Sequence, residues 1–569
     1  VRSAARTWIG GVPDGQRREL AVAFSHRAFV RFAELMAPWV QLTEPDSVPR
    51  VSLDPWVDQL CDRMGECASE LGIDEGAHQI SSLYTALLVP RHRSATGAFY
   101  TPPVLVRRLI ELADEAGVDW RSAKILDPAS GGGAFLVAAA AKMREALAGE
   151  ADESVLAQIG QRLRGFELDA HAAWLSQAAL EVLLGDLVYR TRRQLPKVVS
   201  VCDTLERTPT ASFDLVIGNP PYGRVTLSPP QRRRFERGLY GHANLYGVFT
   251  DIALRWTKPG GAIAFLTPTS MLGGQYFSAL RGLLAREAPP IALDFVHARR
   301  GVFEDVLQET LLALYRRGGE PQRLQVHYLK VQDESAAQVV RNGTVALPVE
   351  ASGPWLAPRH PDHGVLIASA ERMPTRLGDW GYEIATGPLV WNRYKSQLRD
   401  KPGERTFPLI WAEAITANGA FIYRAEKRNH APYFQLERGD GWLLVEEGCV
   451  LLQRTTAKEQ PRRLIAAEMP NSFVSRHGGV VVENHLNMVR PKGPTKVSAR
   501  AVAAILNSRV ADQVFRCISG SVAVSAFELE SLPLPSASAM QAIETLLSRG
   551  AAQGEVEGAI SALYGQSAE

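Results

Sequence analysis

Two hydrophobic periods divide this chain. Over residues 1–90, apolar side chains recur every three to four positions, as in 20–24, 28–32 and 54–71. That spacing predicts helices with one buried face. From about 96 to 320, short β-branched runs at 124–127, 163–167, 197–202, 213–217, 262–266 and 311–315 alternate with longer amphipathic stretches at 134–147, 170–184 and 246–256. The last stretch closes on Lys258-Pro259-Gly260-Gly261, a helix stop. Such alternation predicts an α/β fold with a mostly parallel, doubly wound sheet. Beyond 320 the alternation fades. Residues 343–361 are rich in Pro and Gly and read as a linker, and 375–535 hold short strand-like pieces at 442–445, 450–453 and 480–482. The expected division is a helical N-terminal extension (1–90), the α/β domain (91–320), a connecting segment (321–372) and an α+β domain with a helical tail (373–569).

Composition narrows the function classes. The 569 residues are 46% hydrophobic and 22% charged, enough for a large core, which excludes a disordered chain. The five cysteines, Cys61, Cys67, Cys202, Cys449 and Cys517, form no CxxC pair. A disulfide scaffold is excluded, no metal site is expected, and sparse cysteine fits a reducing cytoplasm. The longest near-apolar run, 134–141, falls well short of the ~20 residues of a membrane span. The opening VRSAARTWIGG lacks the apolar core of a secretory leader, so neither span nor leader is expected. Sixty-three basic and 61 acidic residues leave a net charge of +2, so only local patches speak for a nucleic-acid partner.

Three motifs carry chemistry. In Asp127-Pro128-Ala129-Ser130-Gly131-Gly132-Gly133 a strand ends in an acid, a glycine-rich turn follows and a helix begins. Open α/β sheets bind ligands at the carboxyl ends of strands, and glycines let the backbone come close. The turn matches neither GxGxxG nor GxxxxGK[ST], so a typical dinucleotide site and a P-loop are both unsupported. Gly165-Phe166-Glu167-Leu168-Asp169 ends the next strand, where an acid can accept ribose hydroxyls. The interval from Asp127 exceeds the usual ~20 residues, and the helix and extra turn between must absorb it. Asp169 reads more simply as a helix cap. The most specific motif is Asn219-Pro220-Pro221-Tyr222 after an apolar strand. Two prolines stiffen the turn and aim the Asn219 side chain and the Pro220 carbonyl outward. Two converging acceptors suit an amino-group substrate, and Tyr222 offers a flat face for a planar base or amide.

In this order the motifs resemble those of the N6-adenine DNA methyltransferases of restriction-modification systems, in the subgroup with cofactor motifs before NPPY and a C-terminal target-recognition domain. The resemblance spans about 90–535 and is strongest at 96–108, 127–136, 219–223 and 244–272. It implies a Rossmann-like class I methyltransferase sheet with S-adenosylmethionine as cofactor. Thr96-Gly97-Ala98-Phe99-Tyr100-Thr101-Pro102-Pro103 then looks like the motif over the methionine part, with Thr96, Tyr100, Thr101 and Pro102 binding cofactor beside Asp127, Ala129, Gly131 and Gly133. Glu167 matches the ribose acid, and Asp203 the acid near the adenine amine, with Phe213 or Leu215 as packing candidates nearby. Asn219, Pro220, Pro221 and Tyr222 become the catalytic turn, and Phe303 a second aromatic against an extruded adenine.

The segments 505–509, 518–521 and 532–535 are similar to the tail of such recognition domains. Arg454, Lys458, Arg462 and Arg463, with Arg393 and Lys395 in an aromatic-basic loop, are the DNA-contact candidates. Duplex DNA is the implied partner, with a separate cognate restriction endonuclease and a monomeric chain expected. Methylation without cleavage is expected, because 1–90 is short for a nuclease and Asp54-Pro55 has no following acid-x-Lys. No Pro-Cys pair exists, which removes cytosine-C5 chemistry. N4-cytosine, RNA adenine, a protein glutamine N5 and a non-catalytic DNA-binding module remain as alternatives.

Overall fold

The computed structural model describes residues 1–45, 51–89, 101–298, 309–333, 335–455, 462–519 and 523–566. The chain divides into two compact units, one of residues 1–268 and 276–341, the other of 269–275 and 342–569.

The first unit is built on β1 (Ile125–Asp127), β2 (Leu163–Glu167), β3 (Val199–Val201), β4 (Phe213–Gly218), a two-stranded ribbon of β5 (Arg224–Val225) and β6 (Ala243–Asn244), then β7 (Thr257–Pro268), β8 (Pro290–Ala298), β9 (Thr310–Arg316), β10 (Leu324–Val331) and β11 (Ala337–Val345). The large sheet runs β11-β10-β8-β9-β7-β4-β1-β2-β3. β1 lies between β2 and β4, with Ile125 paired to Leu163 on one side and Leu215 on the other. Its three residues are all buried, as expected of a strand covered on both faces. The pairings from β3 through β7 are parallel, and β9 enters antiparallel between β7 and β8. The expected α/β architecture is thus present, and the reversal of β9 is a feature that periodicity does not show.

The helices at 2–36 and 55–87 do not form a separate extension. They share one apolar core with the sheet, in which Phe24, Phe29 and Phe32 join Ile125 and Leu136. The reason lies in helix Ala170–Leu183, which is buried without interruption from His171 to Val182. A helix apolar on every side needs cover on both faces. The sheet supplies one cover and the N-terminal helices the other. Polar links seal the join: Ser25 Oγ lies 2.7 Å from His171 Nε2, and Trp174 Nε1 donates to the Thr43 carbonyl at 2.7 Å.

Two further expectations shift. The segment 321–372 is not a connector: it holds β10 and β11, and Trp355 is buried, its N–H donating to the Leu272 carbonyl. The second unit carries a four-stranded antiparallel sheet of Tyr382–Thr386, Leu486–Pro491, Cys449–Gln453 and Ala466–Met469, and a five-stranded sheet of Leu398–Arg399, Tyr433–Gln435, Thr406–Ile410, Val480–Val482 and Leu444–Val445. The piece read at 442–445 is a strand only at Leu444–Val445, since Asp440–Leu443 is a 3₁₀ turn that leaves Trp442 exposed. Helices Ala499–Leu506, Arg509–Ile518, Gln541–Ser548 and Gln553–Leu563 complete this unit. Among the described residues, no helix is long and apolar enough to cross a membrane.

Candidate active site

The carboxyl ends of β1, β2, β3 and β4 open on one cavity of about 240 Å³ in the first unit. The loop after β1 forms one wall. Ser130 N–H donates to the Phe166 carbonyl and Gly133 N–H to the Ser130 carbonyl, which closes a tight turn. Gly133 has φ +88°, and a Cβ there would meet Ser176 Oγ at 2.5 Å and Ser176 Cα at 2.9 Å. Left-handed backbone and close helix contact both require glycine at this position.

The three acids behave differently. Asp127 is fully buried; its Oδ1 accepts the Ala129 N–H at 3.0 Å, and its Oδ2 has no partner among the described residues. A Cβ at Gly218 would meet Asp127 Oδ1 at 2.7 Å, so the carboxyl is wedged between β1 and β4 and does not line the cavity. Burial, with a smaller push from the Glu167 charge, raises it to about 8. Glu167 does line the cavity. Its Oε2 accepts the Gly131 N–H at 2.8 Å and its Oε1 those of Leu168 and Asp169 at 2.9 Å each. A carboxylate offers about four acceptor positions, which leaves about one for a ligand hydroxyl. Burial also raises the Glu167 carboxyl. Asp203 lines the cavity and accepts the Leu205 N–H at 2.9 Å, while Thr204 Oγ1 donates to the Pro128 carbonyl at 2.6 Å and ties the two loops together. Asp169 caps its helix by accepting from His171 and Ala172 N–H, as its simpler reading holds.

The turn after β4 reaches the same space. Asn219 and Pro221 line the cavity with Thr101, Ala129, Gly131, Glu167 and Asp203. Pro102, Gly133, Pro220 and Tyr222 adjoin these residues in sequence without lining the cavity. Tyr222 donates its hydroxyl to the Leu266 carbonyl at 3.2 Å and meets Tyr246 edge-on at 5.9 Å; burial raises its phenol strongly. Phe213 packs on Trp256, and neither it nor Leu215 lines the cavity, because both lie toward the start of β4, away from its carboxyl end. Thr96, Tyr100, Phe303 and Lys458 lie outside the described residues.

Sequence reasoning missed part of the lining. Tyr84, Thr85 and Leu88 come from the N-terminal helices, and Tyr84 also donates to Asp169 Oδ2 at 3.1 Å. Nothing local distinguishes them from other core positions. Phe166 and Phe249 add flat apolar faces. Phe166 stands next to Glu167 at the carboxyl end of β2, so its place at a strand end was a usable signal.

In the second unit, Arg393 and Lys395 are exposed, with Lys395 Nζ 5.7 Å over the Trp391 ring. Arg454 donates to the Asn484 carbonyl at 3.2 Å. Arg462 donates to the carbonyls of Asn507 and Ala417. Arg463 is only 5% exposed, which withdraws it from phosphate contact.

The family described as Eco57I restriction-modification methylase matches residues 185–303, which include the Asn219–Tyr222 turn. The type II methyltransferase M.BsuBI of Bacillus subtilis is 24% identical over 457 residues, 78% of this chain and 89% of that protein. M.PstI of Providencia stuartii is 25% identical over 338 residues, 57% of this chain and 65% of that one. In fold, the chain is similar to the type IIL restriction-modification enzyme MmeI, solved in complex with DNA, with a TM-score of 0.54 at 12% identity over 91% of this chain and 83% of that one. The cofactor is S-adenosylmethionine, and the cavity fits it: a glycine turn for close backbone approach, acids for polar groups and aromatic faces for an adenine ring. Motif order, sheet topology and these relatives agree in one direction: the chain is similar to restriction-modification DNA methyltransferases.

Proposed function

We propose that the chain methylates N6 of an adenine at a defined site in duplex DNA. One observation carries this reading: Asn219 and Pro221 share a single cavity with Gly131, Glu167 and Asp203. An acceptor for an amino group and a cofactor pocket therefore meet in one space. S-adenosylmethionine supplies the methyl group. Glu167 holds the ribose and Asp203 the adenine amine, while the loop from Asp127 to Gly133 and the residues around Thr101 hold the methionine part. An adenine inside the stack is out of reach, so the base is swung out into the site. Asn219 and the Pro220 carbonyl accept the two N6 hydrogens and leave the lone pair pointing at the methyl. Tyr222, its ring held by the Leu266 carbonyl, and Phe303 flank the base. Positioning supplies the acceleration, with no covalent step to the protein. The second unit is the DNA target-recognition domain, with Arg393, Lys395, Arg454 and Lys458 toward the duplex. The chain acts as a cytoplasmic monomer, the modification partner of a separate endonuclease.

The test is transfer of labelled methyl from S-adenosylmethionine to bacterial DNA, with protein-only and RNA acceptors in parallel. Label in DNA as N6-methyladenine, reduced about 10²–10³-fold by Asn219→Ala with cofactor affinity kept, is expected. N4-methylcytosine overturns the base assignment alone. Label in protein glutamine, or DNA binding with no transfer, overturns the reading.

A further inference from the structure

The turn between strands Val480–Val482 and Leu486–Pro491 presents His485 to solvent, with 58% of its side chain exposed. Its partner is the reverse. Glu483 is 1% exposed, yet both of its carboxylate oxygens face His485 Nδ1, at 2.7 and 2.9 Å, and Oε2 also accepts the His485 N–H at 2.8 Å. A buried carboxylate spent on an exposed ring fixes that ring's orientation and leaves Nε2 as its outward polar atom.

The turn itself is pinned from two sides. Gly387 N–H donates to the Leu486 carbonyl, Leu389 N–H to the Val482 carbonyl and Asn484 N–H to the Leu389 carbonyl, at 2.8, 3.1 and 2.9 Å. Any Cβ at Gly387 would sit 2.2 Å from the Glu483 carbonyl oxygen, so this approach needs glycine. On the other side, Arg454 donates its N–H to the His485 carbonyl at 2.8 Å and its guanidinium to the Asn484 carbonyl at 3.2 Å. Leu389 opens the loop that carries Arg393 and Lys395. Three segments far apart in sequence thus converge on one pinned turn, with the Arg454 guanidinium on its flank and a single oriented imidazole at its tip.

We propose that His485 reads the edge of one base pair in the recognition site. The proposal rests on the reading of this chain as a site-specific DNA methyltransferase. A neutral Nε2 accepts from an exocyclic amine, and a protonated one donates to guanine N7 or O6. Arg393 and Lys395, by contrast, serve the backbone, which carries no sequence information.

The experiment is genome-wide mapping of methylated positions left by the wild-type chain and by His485→Ala and His485→Asn. Thermal stability and S-adenosylhomocysteine affinity serve as controls for folding. His485→Ala is expected to lose roughly ten- to hundred-fold in discrimination at one position of the site and to keep the others. His485→Asn is expected to change the preference at that same position. An unchanged site and rate in both folded variants overturns the proposal and leaves the methyltransferase reading intact. A wild-type chain that binds cofactor but never methylates DNA overturns both.

Discussion

The two units place their polar chemistry by different means. In the first, the acids and the Asn219 turn stand at the carboxyl ends of neighbouring strands, and regular pairing sets their spacing. Asp127 lies opposite Gly165 by register, and Glu167 opposite Val201. Each acid is further held by N–H groups of its own loop, and Glu167 also by the Gly131 N–H of the neighbouring loop. Among the described residues of the second unit, no shared strand end gathers the basic residues. Arg454 and the stretch Gly387–Leu389, which leads into the loop bearing Arg393 and Lys395, both hydrogen-bond to one turn. A sheet repeats its geometry, so a motif at its edge is placed wherever the sheet forms. A loop cluster exists only where particular long-range bonds make it.

The sharpest way to break this comparison is to disturb the sheet-edge turn. Gly133→Ala forces a side chain into φ +88° and against Ser176 Cα. A cost of about 2–4 kcal/mol is expected, read as a lower urea midpoint together with weaker cofactor binding. A variant as stable as the parent shows that the turn is not held as described.

The next effect is a pH dependence. Asp127 is raised in the folded chain from 3.8 to about 8 by burial. The folded state therefore holds more proton than the unfolded state between those values, and the stabilising contribution is lost as pH rises through that window. Asp127→Asn keeps an oxygen for the Ala129 N–H and removes the titration. Between about pH 5 and about pH 8, its melting temperature is expected to fall less than that of the parent. Equal slopes for both chains mean that the carboxyl titrates normally.

The smallest effect belongs to the loop. Arg393→Ala and Lys395→Ala should each weaken DNA binding by a few-fold, alike for all sequences. Each should lower the dependence of log affinity on log salt by about one unit. Filter binding across a salt series decides this, and a change confined to the cognate site marks a base contact instead.

The candidate site was legible in proportion to its regularity. Asp127, Glu167, Asp203 and Asn219 each close an apolar run, and a strand end after such a run is visible without coordinates. The role of Tyr84 was not visible, because an amphipathic helix looks the same whether it packs on another helix or on a ligand cavity. Nor was the burial of Arg463, since a cluster of basic residues carries no sign of which ones fold inward. The segment 343–361 read as a linker because Pro and Gly punctuate it, yet Trp355 is buried and its backbone N–H bonds the distant Leu272 carbonyl.

The chain's own pattern determined the α/β alternation, the glycine turn, the Pro-Pro turn and their order, because each depends on side-chain period or local backbone preference within a few residues. Tertiary structure alone decided which carboxylate faces the cavity and which is sealed between strands. It decided too that the N-terminal helices cover a helix buried all round, and that His485 stands at the tip of a pinned turn. Those outcomes depend on contacts between residues far apart in the chain, and the free energy of such contacts is set by what the fold brings together.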